Sequence, residues 1–103
     1  MLLLTTEKLD NDYEVIGLVI GNVVRSKNVG RDIMAGLKSI AGGELKGYTE
    51  MMAEARKIAT ERMIKEAEKE NADAIIGVRY VSSEIVQGAS EITAYGTAVK
   101  YKK

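Results

Sequence analysis

The chain has no cysteine, no histidine, no proline, no tryptophan and no phenylalanine; its only aromatics are five tyrosines. Each absence removes a class of chemistry. Without cysteine there are no disulfides and no thiolate nucleophiles. Without histidine there is no Ser–His or Cys–His catalysis, and without both there is no Cys/His zinc site. Any metal would have to be held by oxygen ligands, which suit hard cations such as magnesium or calcium. Lysine plus arginine equals aspartate plus glutamate, 15 each, so the formal net charge is zero. No global field draws the protein to nucleic acid or to an anionic membrane, and a barrier to self-association is missing. No apolar run approaches the roughly 20 residues of a membrane span. Met1-Leu2-Leu3-Leu4 is too short for a signal sequence core, so a cytoplasmic location is expected.

What is present is a chain of 103 residues, the length of one domain spanning 1–103, whose core must be built from Ile, Val, Leu, Met and Ala. Its organising stretch is Tyr48–Asn71, free of Gly and Pro and rich in the strongest helix formers. Apolar or small residues recur at Tyr48, Met52, Ala55, Ala59, Met63 and Ala67, in steps of three or four, which marks one stripe of an amphipathic helix. Met51, Ile58 and Ile64 widen that stripe. Thr49 is the expected N-cap, with Glu50 in the first turn. Glu61 with Lys65, and Arg62 with Glu66, stand at i, i+4 spacing and read as a solvated face.

Around that helix, Leu2–Thr5 suits a short edge strand and Asp10-Asn11-Asp12 a turn. Tyr13–Val24 is β-branched and apolar and reads as a strand. Strict alternation puts Tyr13, Val15, Val19 and Val23 on one face and Ile16, Leu18, Ile20 and Val24 on the other; both faces are apolar and both need cover. Gly17 and Gly21 mark a bulge or the close approach of another backbone. Val29–Ile40 carries a helical spacing at Val29, Ile33, Met34, Leu37 and Ile40, with Gly42-Gly43 as its C-cap and turn. Ala74–Val86 reads as a strand with Ala74, Ile76, Val78 and Tyr80 facing one way and Ile75, Gly77, Arg79 and Val81 the other. Gln87-Gly88-Ala89 is a hairpin connection. Ser90–Tyr101 alternates Ile92, Ala94, Gly96 and Ala98 against Thr93, Tyr95, Thr97 and Val99, and the smallness of the first set lets a helix lie close. The predicted order is strand, helix, helix, strand, strand: an α+β domain with a three-stranded, mainly antiparallel sheet packed on one long and one short helix. Two helices cover one face of such a sheet. The other stays apolar, and further copies of the same chain are the simplest cover, so a homo-oligomer is expected.

Motifs that would fix a chemistry are sparse. The glycines between Gly30 and Gly43 do not form GxxxxGK[ST], and no GxGxxG follows a strand, so they read as turns and caps. Arg25, Lys27 and Arg31 surround the start of the expected first helix, a candidate anion site, or else an ordinary basic loop. Glu44, Glu84 and Glu91 lie at strand ends and turns; repeated around a symmetry axis, one of them per copy could ring a cation, or each could be a solvated turn residue. Arg56, near the apolar border of the helix, could pair with Glu44 or Glu91 of another copy.

The segments GGELKGYTEMMAEARKIATERMIKEA, NADAIIGVRY and EITAYGTAV resemble those of the YbjQ-like family of small proteins, some of which carry a heavy-metal-binding label. The matching features are Gly42-Gly43-Glu44, Tyr48, Arg56, Ala59, Met63, Ala67, Ala72, Ala74, Gly77 and the closing Ala94-Tyr95-Gly96-Thr97-Ala98-Val99, with Thr5-Thr6, Gly17 and Gly21 earlier. The resemblance covers nearly the whole chain. One departure is Asn71, where Gly is expected; Asn tolerates the left-handed conformation, so the turn should survive. The resemblance implies a β-α-α-β-β, dodecin-like subunit assembled as a homopentamer or a pair of pentamers. It supplies no activity, and the metal label fits badly, because soft metals select thiolate or imidazole. The expected function is therefore non-enzymatic: a cytoplasmic homo-oligomer that binds a small ligand or metal ion at its subunit interfaces, with no nucleic-acid or membrane partner. Gly42, Gly43, Glu44, Tyr48, Arg56, Tyr95, Gly96 and Thr97 are the candidate ligand residues, and all of them could equally shape turns and packing. An enzyme using Glu or Arg for acid–base or anion chemistry is the alternative, and a purely structural ring is the third reading.

Overall fold

The computed structural model describes residues 1–26, 40–41 and 44–102. The elements are β1 (Leu2–Leu3), β2 (Tyr13–Ser26), β3 (Ile40–Ala41), β4 (Glu44–Leu45), helix α1 (Lys46–Lys69), β5 (Ala74–Val86) and β6 (Ala89–Tyr101). Four strands make one sheet in the order β1-β5-β6-β2, and β3 pairs with β4 in a separate ribbon. The long strands are antiparallel neighbours, but β1 runs parallel to β5, with Leu2 opposite Ala74 and Leu3 opposite Ile75.

This corrects the expected architecture. The sheet is four-stranded and mixed, not three-stranded, and α1 is the single helix among the described residues, so the order is not the β-α-α-β-β of a dodecin-like subunit. The N-terminal segment earns its place through backbone bonds: Leu4 N–H donates to Ile75 O (2.9 Å), Gly77 N–H to Thr6 O (2.7 Å) and Val78 N–H to Leu4 O (3.0 Å). That pairing is non-local, and the short edge strand expected over Leu2–Thr5 carries no sign of its partner. The helix expected over Val29–Ile40 lies outside the described residues except for Ile40, which is extended and opposite Leu45.

Helix α1 runs from Lys46 to Lys69, two residues earlier than expected at each end, so Thr49 lies inside its first turns and is not its cap. Of the expected i, i+4 pairs neither forms: Glu66 pairs with Lys69 at 3.1 Å, and Arg62 Nη1 donates to the carbonyl of Asn22 at 2.7 Å. The helix stops in a Schellman motif. Ala72 N–H reaches back to Ala67 O (3.1 Å) and Asn71 N–H to Glu68 O (3.0 Å), with Asn71 left-handed at φ 58°. Asn71→Ala should lose about 1 kcal/mol, the cost of a Cβ without a compensating side chain in that region, while Asn71→Gly should lose nothing. Urea midpoints of the two variants, read at matched protein concentration, check that order.

The core lies between α1 and the small face of β6 and β2. Ala55, Ala59, Met63 and Ala67 from the helix meet Val19, Val23, Ile92, Ala94 and Ala98, as the spacing predicts. Gly21 explains why the contact is so close: a Cβ there would collide with the backbone carbonyl of Ala59 and the backbone nitrogen of Met63. Ile75 and Val78 of β5 and Leu3 of β1 complete this side.

Two of the three register shifts in the sheet rearrange the expected faces; the third, between Glu84 and Val86, lies at the hairpin end of β5. The register of β2 on β6 slips between Val15 and Gly17, and that of β5 on β6 between Ile76 and Arg79. As a result Tyr13 and Val15 share a face with Leu18, Ile20 and Val24, while Ile16, Val19 and Val23 turn to the helix. In β5, Ile76 faces away from the helix with Arg79 and Val81, while Ile75 and Val78 face it. β6 keeps its register, and its two predicted faces hold.

Candidate functional site

The sheet face away from α1 is the less covered of the two. A small satellite cluster there is buried: Ala74, Ile76 and Val99, flanked by Leu9, Tyr13 and Tyr101. The rest of the face is more open, and there the apolar side chains of β2 flank Thr93, Tyr95 and Thr97 of β6. Leu18 is 68% exposed, Val15 61% and Val24 54%, with Ile20 and Val81 also exposed. β5 goes further: every residue from Arg79 to Val86 is exposed.

The bulge in β5 builds a partly polar concavity on this face. Gly77 takes φ 61°, a conformation glycine adopts without strain, and the extra residue turns the strand over. Strict alternation from Ile76 would put Arg79 on the helix side of the sheet, opposite Ala94, the place that Tyr80 takes. Instead Arg79 sits opposite Tyr95 on the outer face, and Ile76 opposite Thr97. A depression of about 410 Å³ opens there, lined by Glu7, Tyr13, Val15, Ile76, Gly77, Arg79 and Thr97. Arg79 is held in place: its Nη1 donates to the carbonyls of Thr5 (3.0 Å) and Val78 (2.9 Å).

A second depression, of about 370 Å³, lies at the opposite end of the sheet between the first turns of α1 and the β5–β6 hairpin, lined by Tyr48, Met51, Met52, Glu84, Gln87, Gly88 and Ser90. The candidate residues are thus divided. Tyr48 lines this end and Thr97 the other. Tyr95 lies on the outer face, opposite both Arg79 and Ile20. Gly96 is buried, and a Cβ there would meet Ile75 Cγ2 at 2.7 Å and Ile76 O at 3.0 Å, so it is a packing residue. Arg56 is exposed on the helix, where its carbonyl accepts from Thr60 Oγ1 (2.7 Å). Gly42 and Gly43 fall outside the described residues, and Glu44 belongs to β4. Of the basic trio, Lys27 and Arg31 are outside the described residues; Arg25 pairs with Glu54 at 2.9 Å, so it is a partner of the helix.

Arg79, Tyr13 and Glu7 were not among the residues the sequence singles out. The available signal was a lone arginine two residues after a glycine inside an otherwise apolar strand, AIIGVRYV.

The donor set speaks against a soft-metal centre. The chain has no Cys or His, and among the described residues no three Asp or Glu side chains gather closely enough to hold an ion. Glu84 and Glu91 do not form such a cluster; Glu91 accepts instead from Asn22 Nδ2 at 3.5 Å. Titration with zinc or cadmium should give no stoichiometric binding, and calorimetry at neutral pH would detect it if it occurred. Among the described residues no helix is long and apolar enough to cross a membrane.

A family model described as "Putative heavy-metal-binding" matches residues 1–102. A UPF0145 protein of Thermotoga petrophila is 61% identical over all of this chain and 99% of its own length. A UPF0145 protein of Vibrio parahaemolyticus is 64% identical over 84% of this chain and 83% of its own, and one from Colwellia psychrerythraea is 53% identical over the whole of both. Among solved structures, a protein of unknown function assigned to the DUF74 family, from Pediococcus pentosaceus, superposes with a TM-score of 0.72 over 99% of this chain and 98% of its own, at 19% identity; it shares the fold.

Proposed function

This chain belongs to the YbjQ family, and we propose that it works as one subunit of a homo-oligomer, a ring of five or a pair of such rings, that binds a small ligand where copies meet. The observation that carries the reading is the open apolar face: Val15, Leu18, Ile20 and Val24 of β2 and Val81 of β5 stand in solvent on the side of the sheet that α1 does not cover. Exposed large apolar side chains gathered on one face of a sheet mark a surface that another chain covers.

Open sheet edges add a mode of contact. Among the described residues the outer edge of β2 has no strand neighbour, and the N-terminal segment covers only the first residues of β5. Long, apolar edges pair readily with other strands unless they are blunted. Arg62, donating to the Asn22 carbonyl, blunts one point of β2.

The metal label of the family does not extend this reading, for the reasons of donor chemistry given above. Native mass spectrometry of the purified protein tests the proposal. A mass that is a multiple of 11.2 kDa with additional stoichiometric small-molecule mass supports both halves. A bare multiple leaves a structural ring, and a monomer removes the proposal.

A further inference from the structure

We propose that the depression at the β5 bulge is a binding site for a small organic monocarboxylate, with Arg79 as the residue that receives the carboxylate. The inference deepens the reading above, since this depression lies on the face that further copies are proposed to cover, and it names the class of ligand held there.

The argument starts from how Arg79 is held. A guanidinium has five N–H donors in a fixed plane. Both protons of Nη1 are directed at backbone carbonyls, those of Thr5 at 3.0 Å and Val78 at 2.9 Å. Nη1 is the nitrogen remote from the Nε edge. Anchoring it fixes the plane of the group and leaves the Nε–Nη2 fork without a protein partner among the described residues. Two parallel N–H groups of that kind match the two oxygens of a carboxylate. The ordering entropy of a long side chain has already been lost on folding, which lowers the cost of binding.

The remaining walls set the class of ligand. Thr97 and Tyr13 bring hydroxyl groups, and Val15, Ile76 and the Tyr13 ring bring apolar surface. Glu7 also lines the depression. A carboxylate on the wall of the depression repels a dianion more than a monoanion, which disfavours phosphate and sulfate relative to a carboxylate with an apolar body. With no net charge on the protein, selection must come from these local groups. The bulge ties the site to the fold: without the extra residue at Gly77–Val78, Arg79 would not share a face with Thr97.

Calorimetric titration of the full-length protein with acetate, benzoate and inorganic phosphate tests this, with native mass spectrometry on the same preparation. Saturable benzoate binding is expected, stronger than acetate because of the apolar walls, with phosphate weaker than benzoate. Arg79→Lys keeps the charge but loses the fork and should weaken benzoate about tenfold. Thr97→Val should weaken it by a smaller factor, and both variants should keep the parent subunit number and melting temperature. Absence of saturable carboxylate binding, binding unchanged in both variants, or phosphate bound more tightly than benzoate would each overturn the proposal. If Arg79→Lys melts early, its anchoring role dominates, and Thr97→Val alone then decides between the outcomes. A monomeric native mass with intact benzoate binding would sink the oligomer reading and keep the site; a ring that binds no carboxylate does the reverse.

Discussion

Gly21→Ala is expected to cost about 3 kcal/mol or more and to lower the melting temperature by roughly 15 °C at matched concentration. The added methyl would collide with Ala59 O and Met63 N, and would lie 2.9 Å from the carbonyl carbon of Arg62. All three obstacles are helix backbone, so no side-chain rotation relieves the clash. Either α1 lifts off the sheet, opening the layer of Ala55, Ala59, Met63 and Ala67, or β2 distorts at its centre. Ala98→Gly makes a useful comparison on the same layer. It removes a methyl from a fully buried position and should cost less, because a small cavity is milder than a backbone collision. Thermal unfolding of the two variants beside the parent checks the order. Equal stability of Gly21→Ala and the parent would mean that the helix does not rest where it is described.

The second large effect is expected on assembly. Leu18→Lys combined with Ile20→Asp places two charges on adjacent outward positions of β2, opposite Thr97 and Tyr95. Both side chains are already in solvent within one copy, Leu18 at 68% exposure and Ile20 at 46%, so folding should change by well under 1 kcal/mol. If further copies cover that face, the same two charges must be desolvated at each contact, which costs several kcal/mol per ion. The variant is therefore expected to sediment as a folded species of 11.2 kDa whose circular dichroism matches the parent. An oligomer that survives the double substitution would show that the outer face of β2 is not the contact.

Much of this architecture is legible in local chemistry. The long helix follows from its composition and stripe; the positions of Gly21 and Asn71 follow from what a missing Cβ or a left-handed residue is needed for; the small face of β6 follows from its alternation. Non-local features are not legible in the same way. The parallel seat of Leu2–Leu3 on Ala74–Ile75 depends on residues more than seventy positions away, so the sheet looks three-stranded from sequence. The faces of β2 and β5 are read wrongly beyond Gly17 and Gly77, because alternation holds only until a bulge and one extra residue inverts everything after it. The candidate site suffers from the same inversion. Arg79 looks like one polar residue on a half-apolar face until the bulge sets it opposite Tyr95 and into the depression with Thr97. Gly96 attracts attention by its place in a recurring motif, yet its role is to admit Ile75.

The account stands on the claim that further copies of the chain cover the apolar outer face of the sheet. Sedimentation velocity of the unmodified protein across micromolar concentrations tests it most directly. A single species at five or ten times 11.2 kDa, unchanged on dilution, is the predicted result. A stable species of one chain, soluble across the same range, would contradict it.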